Sequence, residues 1–124
     1  MAWKRKTIDL TEAEFTDLDK IVRIFGFNQQ GEAYKFCFSI AWIQGLKASV
    51  RQNKRTTKWA TGNFDEDGSF EALFIASCPP DSDYSDILES TASAGMEFVL
   101  SLVDEGVEDL GKVIRKALPE VQNS

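Results

Sequence analysis

Asn28-Gln-Gln-Gly-Glu-Ala-Tyr34-Lys-Phe36-Cys37-Phe38-Ser-Ile40-Ala41-Trp42-Ile43-Gln-Gly-Leu46 is long enough for several helical turns. From Tyr34 to Ile43 it is apolar nearly all round. An ordinary surface helix keeps one polar face. Phe36, Phe38, Ile40, Trp42 and Ile43 point in different directions on a helix, so this one must be covered on several sides. Each large apolar side chain left in water forgoes roughly 1.5–3 kcal/mol. In a chain of 124 residues the pattern predicts that a second copy supplies part of the cover. Asn28 is the expected N-cap.

Upstream, residues 4–10 (Lys-Arg-Lys-Thr-Ile-Asp-Leu) read as a short strand. Period-2 alternation puts Ile8 and Leu10 on one face and Arg5, Thr7 and Asp9 on the other. Thr11 with Glu14 three residues on is a capping box, and an acidic first turn suits the helix dipole. Phe15, Leu18, Ile21, Val22 and Phe25 recur at spacings of three and four, predicting an amphipathic helix over 12–25. Gly26 ends it, since glycine tolerates the left-handed conformation of a C-terminal cap.

Downstream, residues 47–58 are basic, polar and weakly periodic, and read as a loop. Trp59 to Phe64 reads as an extended segment with its aromatics docked on the core. Asp65-Glu-Asp-Gly-Ser69 reads as a turn. It is not a calcium loop, because an EF-hand needs Gly at the sixth position and Glu at the twelfth, and Gly68 stands fourth while Ala76 stands twelfth. A helix of about two turns is expected over 70–77, capped by Ser69 and stopped at Cys78-Pro79-Pro80. A long helix is expected over 84–104. Gly95 within it costs about 1 kcal/mol in helix propensity and marks a close crossing with another helix. Gly106 breaks the run, a last helix covers 107–118, and a frayed tail follows Pro119.

The net charge of −6 hides a division. Residues 1–58 carry 11 Lys/Arg and 6 Asp/Glu, net +5, and residues 59–124 carry 3 and 14, net −11. Such asymmetry points to a polyanion partner for the basic half. The chain has no histidine, which removes Ser/His and Cys/His nucleophile pairs and His-based zinc sites. A stand-alone enzyme is not expected, and neither a metal nor a cofactor is. Asp81, Asp83 and Asp86 read as a solvated first turn complementing a helix dipole. Cys37 and Cys78 form no metal-spaced pair and fit a reduced, cytoplasmic protein. No apolar run approaches the ~20 residues that span a bilayer, and no apolar stretch follows the basic start to make a signal peptide.

Strand, capped helix, Gly-containing turn and second helix, over residues 4–46, resemble the ribbon-helix-helix family. In that family two chains pair their single strands into an antiparallel ribbon above four interlocked helices. The resemblance implies a dimer interface of Ile8, Leu10, Phe36, Phe38, Ile40, Trp42 and Ile43. It also implies a ribbon that enters the DNA major groove, with Arg5, Thr7 and Asp9 on the groove-facing side. Asn28 and Gln29, at the start of the second helix, would offer backbone N–H groups to a phosphate. Lys4, Lys6, Arg51, Lys54, Arg55 and Lys58 would add phosphate contacts that position without reading sequence.

A narrower likeness joins Leu18, Ile21, Gly26-Phe27, Ala33 and Phe36-Cys37-Phe38-Ser39-Ile40-Ala41 to Phe70–Ala76 and to Ala94-Gly95-Met96-Glu97. This order of segments is similar to the small E subunit of the Dnd DNA-phosphorothioation system. The likeness implies a ribbon-helix-helix-like core with helical additions, higher oligomers, and DNA binding during sulfur modification of the backbone. The expected architecture is therefore mostly α. Residues 1–46 form a ribbon-helix-helix-like unit, 47–68 a basic loop and connector, and 69–124 an acidic extension of about three helices on the same core. The expected function is that of a DNA-binding oligomer, a regulator or a small subunit of a DNA-modification or phage-defence system. Its partners would be double-stranded DNA, other copies of itself, and another protein at the acidic helices. The alternative is an oligomeric interaction module or adaptor without DNA contact.

Overall fold

The computed structural model describes residues 3–48 and 54–118. Its elements in chain order are β1 (Thr7–Leu10), α1 (Glu12–Phe25), α2 (Gln30–Gln44), β2 (Thr56–Ala60), α3 (Thr61–Phe64), α4 (Ser69–Ser77), α5 (Tyr84–Asp104) and α6 (Leu110–Ala117). The architecture is mostly α, with a two-stranded antiparallel sheet at one side. Among the described residues no helix is long and apolar enough to cross a membrane.

The first turn of α1 forms as its sequence dictates. Thr11 Oγ1 accepts from Glu14 N–H at 3.1 Å, and Glu14 Oε1 accepts from Thr11 N–H at 2.9 Å. Gly26 closes the helix in the left-handed conformation, φ 74°, which costs glycine no Cβ clash. The next two caps shift from expectation. Gln29 rather than Asn28 is the N-cap of α2, its N–H donating to Glu32 Oε1 at 3.2 Å. Ser69 does not cap α4. The carboxylate of Asp65 does, accepting from Phe70 N–H and Glu71 N–H at 2.9 and 3.0 Å. The last helix begins at Leu110, three residues later than its apolar pattern suggests, because Asp109 caps it.

The expected lone strand has a partner within its own chain. β1 pairs with β2, with Thr7 opposite Ala60, Ile8 opposite Trp59, Asp9 opposite Thr57 and Leu10 opposite Thr56. Between the second and third pairs β2 has one extra residue, Lys58, which makes a β-bulge. Thr61 N–H donating to Lys6 O at 2.9 Å carries the pairing one step further. The basic loop thus ends as a strand at Thr56. The segment expected to be extended over 59–64 instead divides into the end of β2 and the single turn α3.

The core is centred on the crossing of α2 and α5. Gly95 makes it possible, because a Cβ there would lie 1.9 Å from the carbonyl oxygen of Cys37. Phe74 of α4 stands edge-on to Phe38 and Trp42, at 5.9 and 5.8 Å between centroids. Tyr34 packs against Trp59 and Phe64. The cover that α2 demands therefore comes mainly from the chain itself. Ile8, Leu10, Phe38 and Ile40, expected at a dimer interface, are buried within one protomer. Phe36 is half-buried against Phe27. Trp42 is half-buried beside Phe38 and Phe74. Only Ile43 of that set is open, at 58% exposure. The physical reason is α5, whose long apolar stripe packs closely on α2.

Candidate nucleic-acid interface

The basic residues in and around β1, β2 and α2 separate into two groups. Arg5 and Arg55 converge on one carboxylate, that of Glu89 in α5. Arg5 Nη1 lies 2.6 Å from Glu89 Oε2, and Arg55 Nη1 lies 3.1 Å from Glu89 Oε1. The N–H of Asp9 donates to the same Oε2 at 2.8 Å, and Arg5 also reaches Asp9 Oδ2 at 3.1 Å. The Glu89 side chain is fully buried. A buried carboxylate needs this much pairing, since an unpaired one is costly. The Arg5 guanidinium is held above its ordinary pKa, chiefly by its hydrogen bond to Glu89. The junction ties the strand pair to α5. It also engages Arg5 and Arg55, two of the residues expected to contact DNA, while each side chain keeps 30% exposure. Thr7 lies half-buried in the sheet.

The second group is Lys35, which is exposed, and Lys58, which is half-buried. The bulge turns Lys58 away from the ladder, and its ammonium lies 5.7 Å from the Phe15 ring centre and 5.6 Å from that of Trp59. Bulges commonly re-aim a side chain in this way. Lys35, in the second turn of α2, sits 4.8 Å from the centre of the Phe64 ring. Lys35, Lys58, Gln29 and Gly31 share a cleft of about 430 Å³ with Trp59 and Asn63 at the N-terminus of α2. Two ammonium groups and the positive end of a 15-residue helix make an anion-accepting mouth. Glu32 also lines it and opposes a bound anion.

Of the other sequence-derived candidates, Lys6, Asn28 and Lys54 are exposed. Lys4 donates to the backbone oxygen of Asp81, in the connector before α5. Arg51 lies outside the described residues. The structure therefore brings Gln29 and Lys58 together, and adds Lys35, which sequence reasoning missed. Its position in the second turn of α2 was the available signal, obscured by the apolar run around it. Glu89 was missed too, although Glu89, Ala92, Met96 and Val99 fall at helical spacing on one stripe.

No protein family, curated protein or solved structure matches this chain.

Proposed function

We propose that this chain is a DNA-binding protein that acts as a small subunit of a DNA-modification or defence assembly, gripping duplex DNA by its phosphates. The observation that carries this reading is the cleft at the start of α2, where Lys35 and Lys58 line the mouth beside the helix N-terminus. Its chemistry suits phosphate, which positions a protein on DNA without reading bases. Engagement of Arg5 and Arg55 by Glu89 leaves few side chains for base edges, so contact that is indifferent to sequence follows.

The likeness to the E subunit of the phosphorothioation system gains support from where its segments lie. Cys37 meets Gly95, and Phe38 meets Phe70 and Phe74. The three separated motifs pack together, as a shared core would require. Self-association is a compatible second reading, favoured by Ile43 and Ile75, which are 58% and 61% exposed on α2 and α4. Ile43 also lines, with Phe38, Trp42, Phe70 and Leu73, an uncharged groove of about 300 Å³. Such exposure is a common mark of an interface.

The test is a salt series of binding to intact and nicked duplexes. Binding is expected to weaken steeply with salt, and Lys35→Glu with Lys58→Glu to remove it and flatten the slope by about two. Failure of the wild-type chain to hold either duplex at low salt overturns the DNA reading. The solution mass of wild type and Ile43→Asp, measured in parallel, decides the interaction-module alternative: an oligomer that Ile43→Asp dissociates, without DNA retention, is that alternative's signature.

A further inference from the structure

The cleft that holds Lys35 and Lys58 is larger than a backbone phosphate needs. At about 430 Å³ it has the size of a small-molecule site. One wall is aromatic: Trp59 is half-buried and lines the cleft beside Phe64. Gln29 and Asn63 are exposed at the same cleft and add two carboxamides. Among the described residues that line it, Glu32 is the only carboxylate, and its Oε1 already accepts from Gln29 N–H at 3.2 Å. Two ammonium groups outweigh that one negative charge. Beyond Lys35 the charge reverses. A neighbouring hollow shares Lys35, Asn63 and Phe64 with the cleft, and its lining adds Asp65, Glu66 and Asp67. A second phosphate following the first would meet these carboxylates.

We infer that the cleft takes one unpaired nucleotide of the bound DNA, its phosphate between Lys35 and Lys58 and its base against Trp59. The inference rests on the DNA reading and adds to it what the cleft selects. Within a duplex each base has both faces stacked and its pairing edge engaged, so it does not reach an aromatic wall. An extruded base does, and cationic grooves with aromatic side chains hold unpaired nucleotides in this way. The carboxamides of Gln29 and Asn63 each offer donors and an acceptor to the freed edge. The acids past Lys35 limit the site to one nucleotide rather than a threaded strand.

The test compares four DNAs of one sequence by fluorescence anisotropy at a fixed low salt concentration. They are the intact duplex, the duplex with one extra deoxyadenosine in one strand, the same with an abasic residue in its place, and the duplex with three extra deoxyadenosines. The single bulge is expected to bind about tenfold tighter than the intact duplex, and the abasic bulge to match the intact duplex within about twofold. Three unpaired nucleotides should add nothing to one. Trp59→Leu is expected to bring the ratio of single-bulge to intact affinity close to one. Asn63→Ala, at an exposed position that does not endanger the fold, should lower that ratio about threefold. An abasic bulge held as tightly as the nucleotide, a full ratio kept by both variants, or tighter binding of three nucleotides than of one overturns the inference. Equal binding of intact and bulged duplexes overturns it and leaves the DNA reading standing, whereas no binding to any of the four overturns both.

Discussion

Glu89 shows how much one side chain decides here. It holds Arg5, Arg55 and the backbone N–H of Asp9, so it joins β1, β2 and α5 at one point. Removing one partner of a fully buried pair costs about 3–5 kcal/mol. Both arginine side chains keep 30% exposure, and water recovers part of that loss. Glu89→Ala is expected to cost about 2–3 kcal/mol, read from urea midpoints, and an unchanged midpoint would refute the junction's role. Asp17 supplies a pH-dependent counterpart. Burial raises its pKa above the ordinary carboxylate value, so the folded state takes up its proton more readily than the unfolded state. The stability this contributes is present in acid and is lost as pH rises through the folded pKa. Asp17→Asn should therefore raise the melting temperature relative to wild type more at pH 7 than at pH 3, and equal gains at both would contradict the assignment.

At the scale of elements, most helices were legible because each carries its own local instruction. The Thr11–Glu14 box, Gly26, the 84–104 stripe and Pro79-Pro80 act on their immediate neighbours. Gly95 was legible as a close crossing for the same reason, although its partner Cys37 was not. β2 escaped because its residues are mostly exposed or half-buried and so lack alternation; its pairing lies about fifty residues away from β1. The crossing gives the sharpest element-level prediction. In an exposed helix Gly→Ala gains about 1 kcal/mol. At Gly95 the added carbon meets a backbone oxygen that has no rotamer to change. Gly95→Ala is therefore expected to destabilise by about 3 kcal/mol or more, seen as a lower urea midpoint. A gain in stability would mean that α2 and α5 do not cross as described.

For the molecule as a whole, the same crossing forbids a free-standing amino-terminal unit. β1 pairs with β2, and α2 is covered chiefly by α5. A peptide of residues 1–48 is expected to show little helix by circular dichroism and no cooperative melt, whereas the whole chain should unfold in one transition. A folded, dimeric 1–48 peptide would instead restore the ribbon arrangement that the local sequence resembles. The candidate interface was only half legible at this scale. Basic residues are visible in the sequence, but which of them Glu89 engages and which the bulge frees depends on pairings between distant segments.

The β1–β2 pairing also sets an order of events during synthesis. Thr7–Leu10 emerges early and finds no edge to join until Thr56–Ala60 follows, and Arg5 waits longer still for Glu89. Until then the nascent chain presents an unsatisfied strand beside a greasy α2, the kind of surface that chaperones bind and neighbouring chains capture. Slowing translation just before codon 56 should thus lower the soluble yield more than an equal pause after codon 104.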